Sequence, residues 1–161
     1  MKLPIFNAPR AGYCTCLPKY NLNTYLGRCA HACIYCYARS YALRRGRTEE
    51  WGSYVDVKAN IDDVLEREAR GSLRRGVVGI STLTDAYQAI ESSRSLTGRC
   101  LGILLGSGFK VAIQTKSDLV LRDIDMLAKH PGEVSVGVTL TMLDRDVARQ
   151  IEPGAADPVM R

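Results

Sequence analysis

Residues 76–161 alternate short β-branched apolar runs with stretches whose apolar residues recur at helical spacing. That alternation, more than any other feature, limits what the chain can fold into. The runs 76–81 (GVVGIS), 110–115 (KVAIQT) and 133–141 (EVSVGVTLT) read as strands. Residues 95–105, 119–129 and 143–151 read as helices, the first stopped by Gly106 and Gly108. Upstream, residues 21–25 alternate as a short strand, and a helix is predicted over 35–44. Asn60 is placed to cap a helix over 61–70, with Asp62 and Asp63 in its first turn. Strand and helix repeated four times require a parallel sheet with right-handed crossovers. The strands are short and nearly all apolar, as a sheet covered on both faces demands. A β/α barrel or part of one fits. A doubly wound open sheet fits the periodicity almost as well, but no glycine-rich phosphate loop follows a strand.

A chain of 161 residues, 46% of them hydrophobic, makes one domain with a real core. Residues 1–20 lack clear periodicity and read as an N-terminal extension; residues 21–161 read as the core domain. The formal charge of +5 permits contact with nucleic acid or another polyanion without requiring it. Arginines thicken at Arg44, Arg45 and Arg47 and again at Arg67, Arg70, Arg74 and Arg75, which read first as solvated helix faces. No apolar h-region follows Met1, and no apolar run is long enough to span a bilayer, so the expected location is the cytoplasm, without a membrane partner. Thiols stay reduced there, and six cysteines are then a poor disulfide framework.

Five of those six cysteines fall between positions 14 and 36, and such clustering points to metal. Cys29-Ala-His-Ala-Cys33-Ile-Tyr-Cys36 is a C-x3-C-x2-C run. Three thiolates in so short a loop can converge on one 4Fe–4S cube, for which thiolates are the natural ligands. Three cysteines on four irons leave one iron open to the amine and carboxylate of S-adenosylmethionine. Such a pair of cofactors carries the hard chemistry, and the protein supplies placement and water exclusion. Two other readings stay open. Positions 29, 33 and 36 share one helical face, where cysteines pack as small hydrophobes. A structural zinc could take four of Cys14, Cys16, Cys29, His31, Cys33 and Cys36, although only Cys33 and Cys36 have the usual C-x2-C spacing.

The segment 29–39, CAHACIYCYAR, resembles the cluster loop of the spore photoproduct lyase-like branch of the radical-SAM superfamily. The similarity continues. Val57-Lys58-Ala59-Asn60 resembles that branch's V-K-x-N, and residues 83–88 (LTDAYQ) its L-T-D-P-Y-Q. Residues 115–123 (TKSDLVLRD) match its T-K-S-x-L-V-x-R-D, and Ile151-Glu152-Pro153-Gly154 its E-P segment. The resemblance runs from about residue 21 to the end. It implies an α/β fold, a partial (β/α) barrel of the radical-SAM type with about four of its six β/α units present, and active-site groups at the C-terminal ends of the strands.

The same resemblance implies a 4Fe–4S cluster on Cys29, Cys33 and Cys36, with S-adenosylmethionine as the second cofactor. Tyr35 would lie beside the adenine, Thr84 and Asp85 near the cofactor's amino-acid end, Lys116 against its carboxylate, and Thr139 as a second hydroxyl ligand. Each has a plainer alternative: Tyr35 packed under the loop, Asp85 capping a turn, Lys116 solvated, Thr139 a strand residue. The implied activity is hydrogen abstraction by a 5′-deoxyadenosyl radical, in a lyase-like enzyme of unknown substrate. Nucleic acid is a candidate substrate and a flavodoxin- or ferredoxin-like protein the expected electron donor. The alternatives are a zinc-stabilised nucleic-acid-binding module and a catalytically inactive radical-SAM fragment.

Departures from the branch pattern also matter. Thr82 stands where spore photoproduct lyase carries a hydrogen-donating cysteine, and a threonine O–H bond is too strong to replace a thiol, which argues against thymine-lesion repair by that route. Cys100 falls in a predicted helix and reads as core. Ala86 and Ala89 stand where relatives tend to have prolines, and Ala32 replaces a common glycine. Relatives continue past the E-P segment, so the chain is expected to be C-terminally incomplete. Residues 133–141 would then be an unprotected edge strand, with a second chain needed to complete the barrel.

Overall fold

The structure, a computed structural model, describes residues 20–161 except 28, 45, 47, 72 and 73. The predicted extension, with Cys14 and Cys16, lies outside the described residues apart from Tyr20, as do Arg45 and Arg47. In chain order the elements are β1 (Tyr20–Leu22), β2 (Tyr25–Gly27), α1 (Ala38–Arg44), β3 (Val55–Val57), α2 (Ile61–Ala69), β4 (Val77–Ile80), α3 (Glu91–Arg94), α4 (Leu96–Gly106) and β5 (Lys110–Thr115). A 3-10 turn (Asp118–Asp123), α5 (Ile124–Ala128), β6 (Val134–Val138), α6 (Arg145–Ile151) and a last 3-10 turn (Pro158–Met160) follow.

β1, β4, β5 and β6 form one sheet in that order, every pair parallel, as the alternation predicts. One face is apolar. Leu22, Val78, Ile80, Val111 and Ile113 meet Ile61, Leu65 and Ala69 of α2 and Leu96, Leu101, Leu104 and Leu105 of α4 in a single core. Phe109 closes its end, with the Tyr20 ring edge-on at 6.2 Å. Cys100 is buried in this core, as its helix position suggested. Each fully buried side chain of this kind contributes about 1.5–3 kcal/mol.

The opposite face corrects the expectation of a sheet covered on both sides. Register sets Asn21, Gly79, Ala112 and Ser135 side by side across all four strands, and Gln114 beside Gly137 in the next row. These residues line an open cavity instead of a second helix layer. The alternate small residues are easy to miss inside apolar runs such as GVVGIS.

Other boundaries differ in detail. The first predicted strand splits into β1 and β2, and β2 pairs antiparallel with β3 inside the first crossover. The predicted helix over 35–44 starts only at Ala38, because Cys36 and the residues before it are committed to the cysteine loop. Residues 119–129 form a 3-10 turn and a short helix. Asn60 precedes α2 at φ 61° and makes no side-chain cap bond. Asparagine tolerates that left-handed conformation, and the chain uses it to turn into the helix. Among the described residues β6 pairs only with β5. Its Val136 and Val138 are 40% and 39% exposed.

Behind the sheet a buried ion pair ties helices to turns. Glu91, fully buried, accepts from Thr97 N at 3.0 Å, Gly98 N at 3.2 Å and Arg122 Nη2 at 2.7 Å, and also from the Tyr25 hydroxyl. Arg122 also donates to Asp123, which accepts the Tyr87 hydroxyl at 3.0 Å. The Arg-Asp end of TKSDLVLRD is therefore structural. Only its Thr115-Lys116 end reaches the cavity. Among the described residues no helix is long and apolar enough to cross a membrane.

Candidate functional site

The cysteine loop leaves β2 and turns twice on its own backbone. Ala32 N donates to the Cys29 carbonyl at 3.0 Å, and Cys36 N to the Cys33 carbonyl at 3.2 Å. Ala32 sits at φ 53°, a left-handed conformation that an alanine adopts only under strain. Trp51, Ala38 and Ala42 pack behind the loop and bury Cys29 among them. The thiols of Cys29 and Cys33 are buried and that of Cys36 half-buried. All three line one cavity of about 690 Å³, floored by the small-residue face of the sheet. Thr84, Asp85, Lys116 and Thr139, chosen from sequence, line the same cavity. It lies at the C-terminal ends of the parallel strands, where such sheets place ligands.

Asp85 holds the cavity together. Its Oδ1 accepts from Tyr87 N at 2.8 Å and the Thr115 hydroxyl at 2.7 Å, and its Oδ2 accepts from Lys116 N at 2.8 Å. His31 Nδ1 lies 3.4 Å from that same Oδ2. Asp85 N in turn donates to Cys29 Sγ at 3.3 Å. The carboxylate thus works as a turn cap that joins the end of β4, the end of β5 and the cysteine loop. The Thr84 hydroxyl donates to the Tyr25 carbonyl at 3.2 Å. Thr139 Oγ1 accepts from Gln114 Nε2 at 2.8 Å.

Lys116 Nζ lies 5.8 Å from the centre of the Tyr35 ring and 3.9 Å from Glu152 Oε1. Tyr35 is half exposed and donates its hydroxyl to Glu152. Glu152 also accepts from the Thr141 hydroxyl at 2.7 Å and Arg161 Nη1 at 2.7 Å. Opposite, the Asn23 carboxamide oxygen accepts from Thr82 N at 2.8 Å and Leu83 N at 3.0 Å, and Tyr37 reaches over to the Thr82 carbonyl. Thr82, at the position of the hydrogen-donating cysteine in the resemblance, lines the cavity.

Sequence reasoning missed His31 and Glu152 as members of this site. His31, in sequence only one of six candidate zinc ligands, is 3% exposed and lies against Asp85. Glu152 stood in a matched segment without a role. Its one signal in the sequence is an acidic residue directly before Pro153 and Gly154.

Burial sets the electrostatics. It pushes the Cys29 thiol up to about 12, opposed by the N–H groups of Asp85 and His31. It also raises Cys33, with Lys116 pulling the other way. His31 is pushed below its ordinary value by burial, against the attraction of Asp85. Burial pushes Glu152 up, but hydrogen bonds from Tyr35, Thr141 and Arg161 outweigh it and hold the carboxyl below its usual range. Thiols buried this deeply become thiolates only when cationic metal replaces their protons.

Among the described residues no three Cys, His, Asp or Glu side chains converge on a point suited to one ion. Cys29, Cys33 and Cys36 line one cavity, and a cluster would ask each thiolate to meet a different iron and not one shared ion. The N–H donated to Cys29 Sγ is of the kind that tunes cluster sulfurs. The residues present therefore fit a three-thiolate cluster. Of the six candidate ligands for a structural zinc, Cys14 and Cys16 lie outside the described residues.

A larger groove, about 850 Å³, lies between α2 and α4. Arg99 there pairs with Asp62 and Arg70 with Glu66, so its charges largely neutralise one another.

The model of the Radical SAM superfamily matches residues 24–161. Uncharacterized protein MJ0683 of Methanocaldococcus jannaschii is 36% identical over 135 residues, covering 84% of this chain and 49% of that protein. Uncharacterized protein Rv2578c of Mycobacterium tuberculosis is 36% identical over 148 residues, 89% of this chain and 43% of that protein. Uncharacterized protein ORF301 of Acidianus two-tailed virus is 32% identical over 149 residues, 87% and 48% respectively. The chain thus spans about half the length of the curated relatives it matches. No solved structure matches it.

Proposed function

The chain belongs to the Radical SAM superfamily, and on that premise we propose that Cys29, Cys33 and Cys36 bind a 4Fe–4S cluster and that S-adenosylmethionine occupies the adjoining cavity. The observation that carries this reading is the meeting of three thiols and Lys116 in one cavity at the strand ends. When bound, these cofactors supply one-electron cleavage of a C–S bond and hence hydrogen abstraction from a substrate. The chain's own residues do the rest. The thiols hold three irons and leave the fourth to a chelating ligand. Lys116 offers a point charge to the carboxylate of that ligand, and Tyr35 a ring face beside it. Asp85 acts by fixing the loops and not by touching the cofactor, since its oxygens are already engaged. Thr84 and Thr139 offer hydroxyl oxygens to the cavity wall.

The proposal extends to a lyase-like enzyme of the spore photoproduct lyase-like branch, reduced by a flavodoxin- or ferredoxin-like donor. It also includes a further strand-bearing segment or second chain on the open edge of β6, where Val136 and Val138 are part-exposed. The test is anaerobic reconstitution with iron and sulfide. About four irons and as many acid-labile sulfides per chain are expected. Stoichiometric zinc with no sulfide would replace this reading with the zinc-stabilised module.

A further inference from the structure

The last residue of α6 and the turn after it, residues 151–154, dock on the cysteine loop by main chain. Ile34 N donates to the Ile151 carbonyl at 3.0 Å, and Gly154 N to the His31 carbonyl at 3.1 Å. The approach leaves no room for a side chain. A Cβ on Gly154 would overlap the Ala30 carbonyl oxygen and stand 3.0 Å from His31 Cα. Glu152 extends the contact by accepting the Tyr35 hydroxyl from inside the loop and Arg161 from beyond it. On the loop's other side, Gly52 at φ 91° brings its backbone so near that an added Cβ would lie 2.6 Å from Ala32 Cβ. The loop is gripped between two glycine contacts.

None of residues 151–154 belongs to the apolar core, and Pro153 and Gly154 are exposed. Its one buried side chain, Glu152, ties Thr141 and Arg161 to the turn, and its apolar contribution to the domain is small. What it does hold is an eight-residue loop containing a strained Ala32 and little hydrogen bonding of its own. A loop left free would have to be ordered at the expense of metal affinity, whereas a loop fixed beforehand would not. We infer that residues 151–154 form a positioning brace, which sets the spacing of Cys29, Cys33 and Cys36 before metal arrives. Glu152 and Gly154 are positioning residues, acting through the loop. The inference rests on the cluster reading proposed above.

The test compares the whole chain with Gly154→Ala and, as a variant without added bulk, Glu152→Gln. Two readouts are taken: alkylation rates of individual cysteines in metal-free protein, followed by mass spectrometry, and loss of iron from reconstituted protein to a chelator. The brace predicts that Gly154→Ala alkylates Cys29 and Cys33 about tenfold faster, with Cys100 unchanged, and releases iron about tenfold faster. Glu152→Gln should move both in the same direction by a smaller factor. Wild-type rates at Cys29 and Cys33 in both variants would overturn it. So would acceleration of Cys100 in step with the others, which would make the turn a general folding element. If wild-type protein takes up no iron, the cluster reading fails alone, and the alkylation rates still decide the brace.

Discussion

Glu91 and Glu152 are both buried carboxylates paired with an arginine, yet they do different things. Glu91 is closed. Its oxygens are taken by Arg122, Tyr25 and two helix N–H groups. Glu152 stays beside the site: it accepts from the Tyr35 hydroxyl and lies 3.9 Å from Lys116 Nζ, the ring and the lysine assigned to the cofactor. Its backbone neighbours bind the cysteine loop. Buried charge alone does not mark a functional site. The mark is what else converges there, in this case three thiols, a cavity and a strained turn.

The widest expected separation between the two regions is in metal. Cys33→Ala should take iron loading from about four per chain to a small residue, and Cys29→Ala and Cys36→Ala should do the same, since each removes one iron's protein ligand. Cys100→Ala, behind the sheet, should leave loading per folded chain unchanged by iron analysis.

Stability should show the reverse order. Glu91→Ala leaves the buried Thr97 N–H and Tyr25 hydroxyl without their acceptor and removes one of the two carboxylates of Arg122, and should cost roughly 1–3 kcal/mol in urea unfolding, while the folded fraction still loads iron. Equal loss of iron and stability in Glu91→Ala would erase the distinction between the regions.

Lys116→Ala should leave the cluster in place and weaken S-adenosylmethionine binding about ten- to a hundredfold. That range corresponds to one charge-assisted hydrogen bond worth roughly 1.5–3 kcal/mol. Unchanged affinity by equilibrium dialysis would return Lys116 to a purely structural role with Glu152. The smallest expected effect lies within the loop itself. Ala32→Gly relieves a left-handed alanine and should stabilise the metal-free chain by about 1 kcal/mol, measured by thermal unfolding.

The parallel order of the sheet was legible because apolar runs and helical stretches alternate so regularly after residue 76. The cavity-lining face was not, because Gly79, Ser135 and Gly137 lie inside runs whose overall character is apolar. Only register places Gly79 and Ser135 in a row with Asn21 and Ala112, and Gly137 beside Gln114. The three cysteines announced themselves by spacing. His31 did not, since one histidine in a loop carries no periodic signal, and its burial depends on Asp85, which is distant in sequence. Asn60 misled for a related reason: the residue type suits a cap, but the same side chain also suits a left-handed turn, and the arriving chain decided between them. The antiparallel pair of β2 and β3 consists of three-residue strands, too short for any alternation to register.

The central claim is that three thiols hold a cluster and leave one iron free for S-adenosylmethionine. The most direct measurement is the electron paramagnetic resonance spectrum of the reconstituted, chemically reduced protein, recorded with and without S-adenosylmethionine. A signal of a reduced 4Fe–4S cluster whose g-values shift on addition of the cofactor, with the shift weakened in Lys116→Ala, is the predicted result. A cluster signal that S-adenosylmethionine leaves untouched, or iron binding that survives Cys33→Ala, would contradict it.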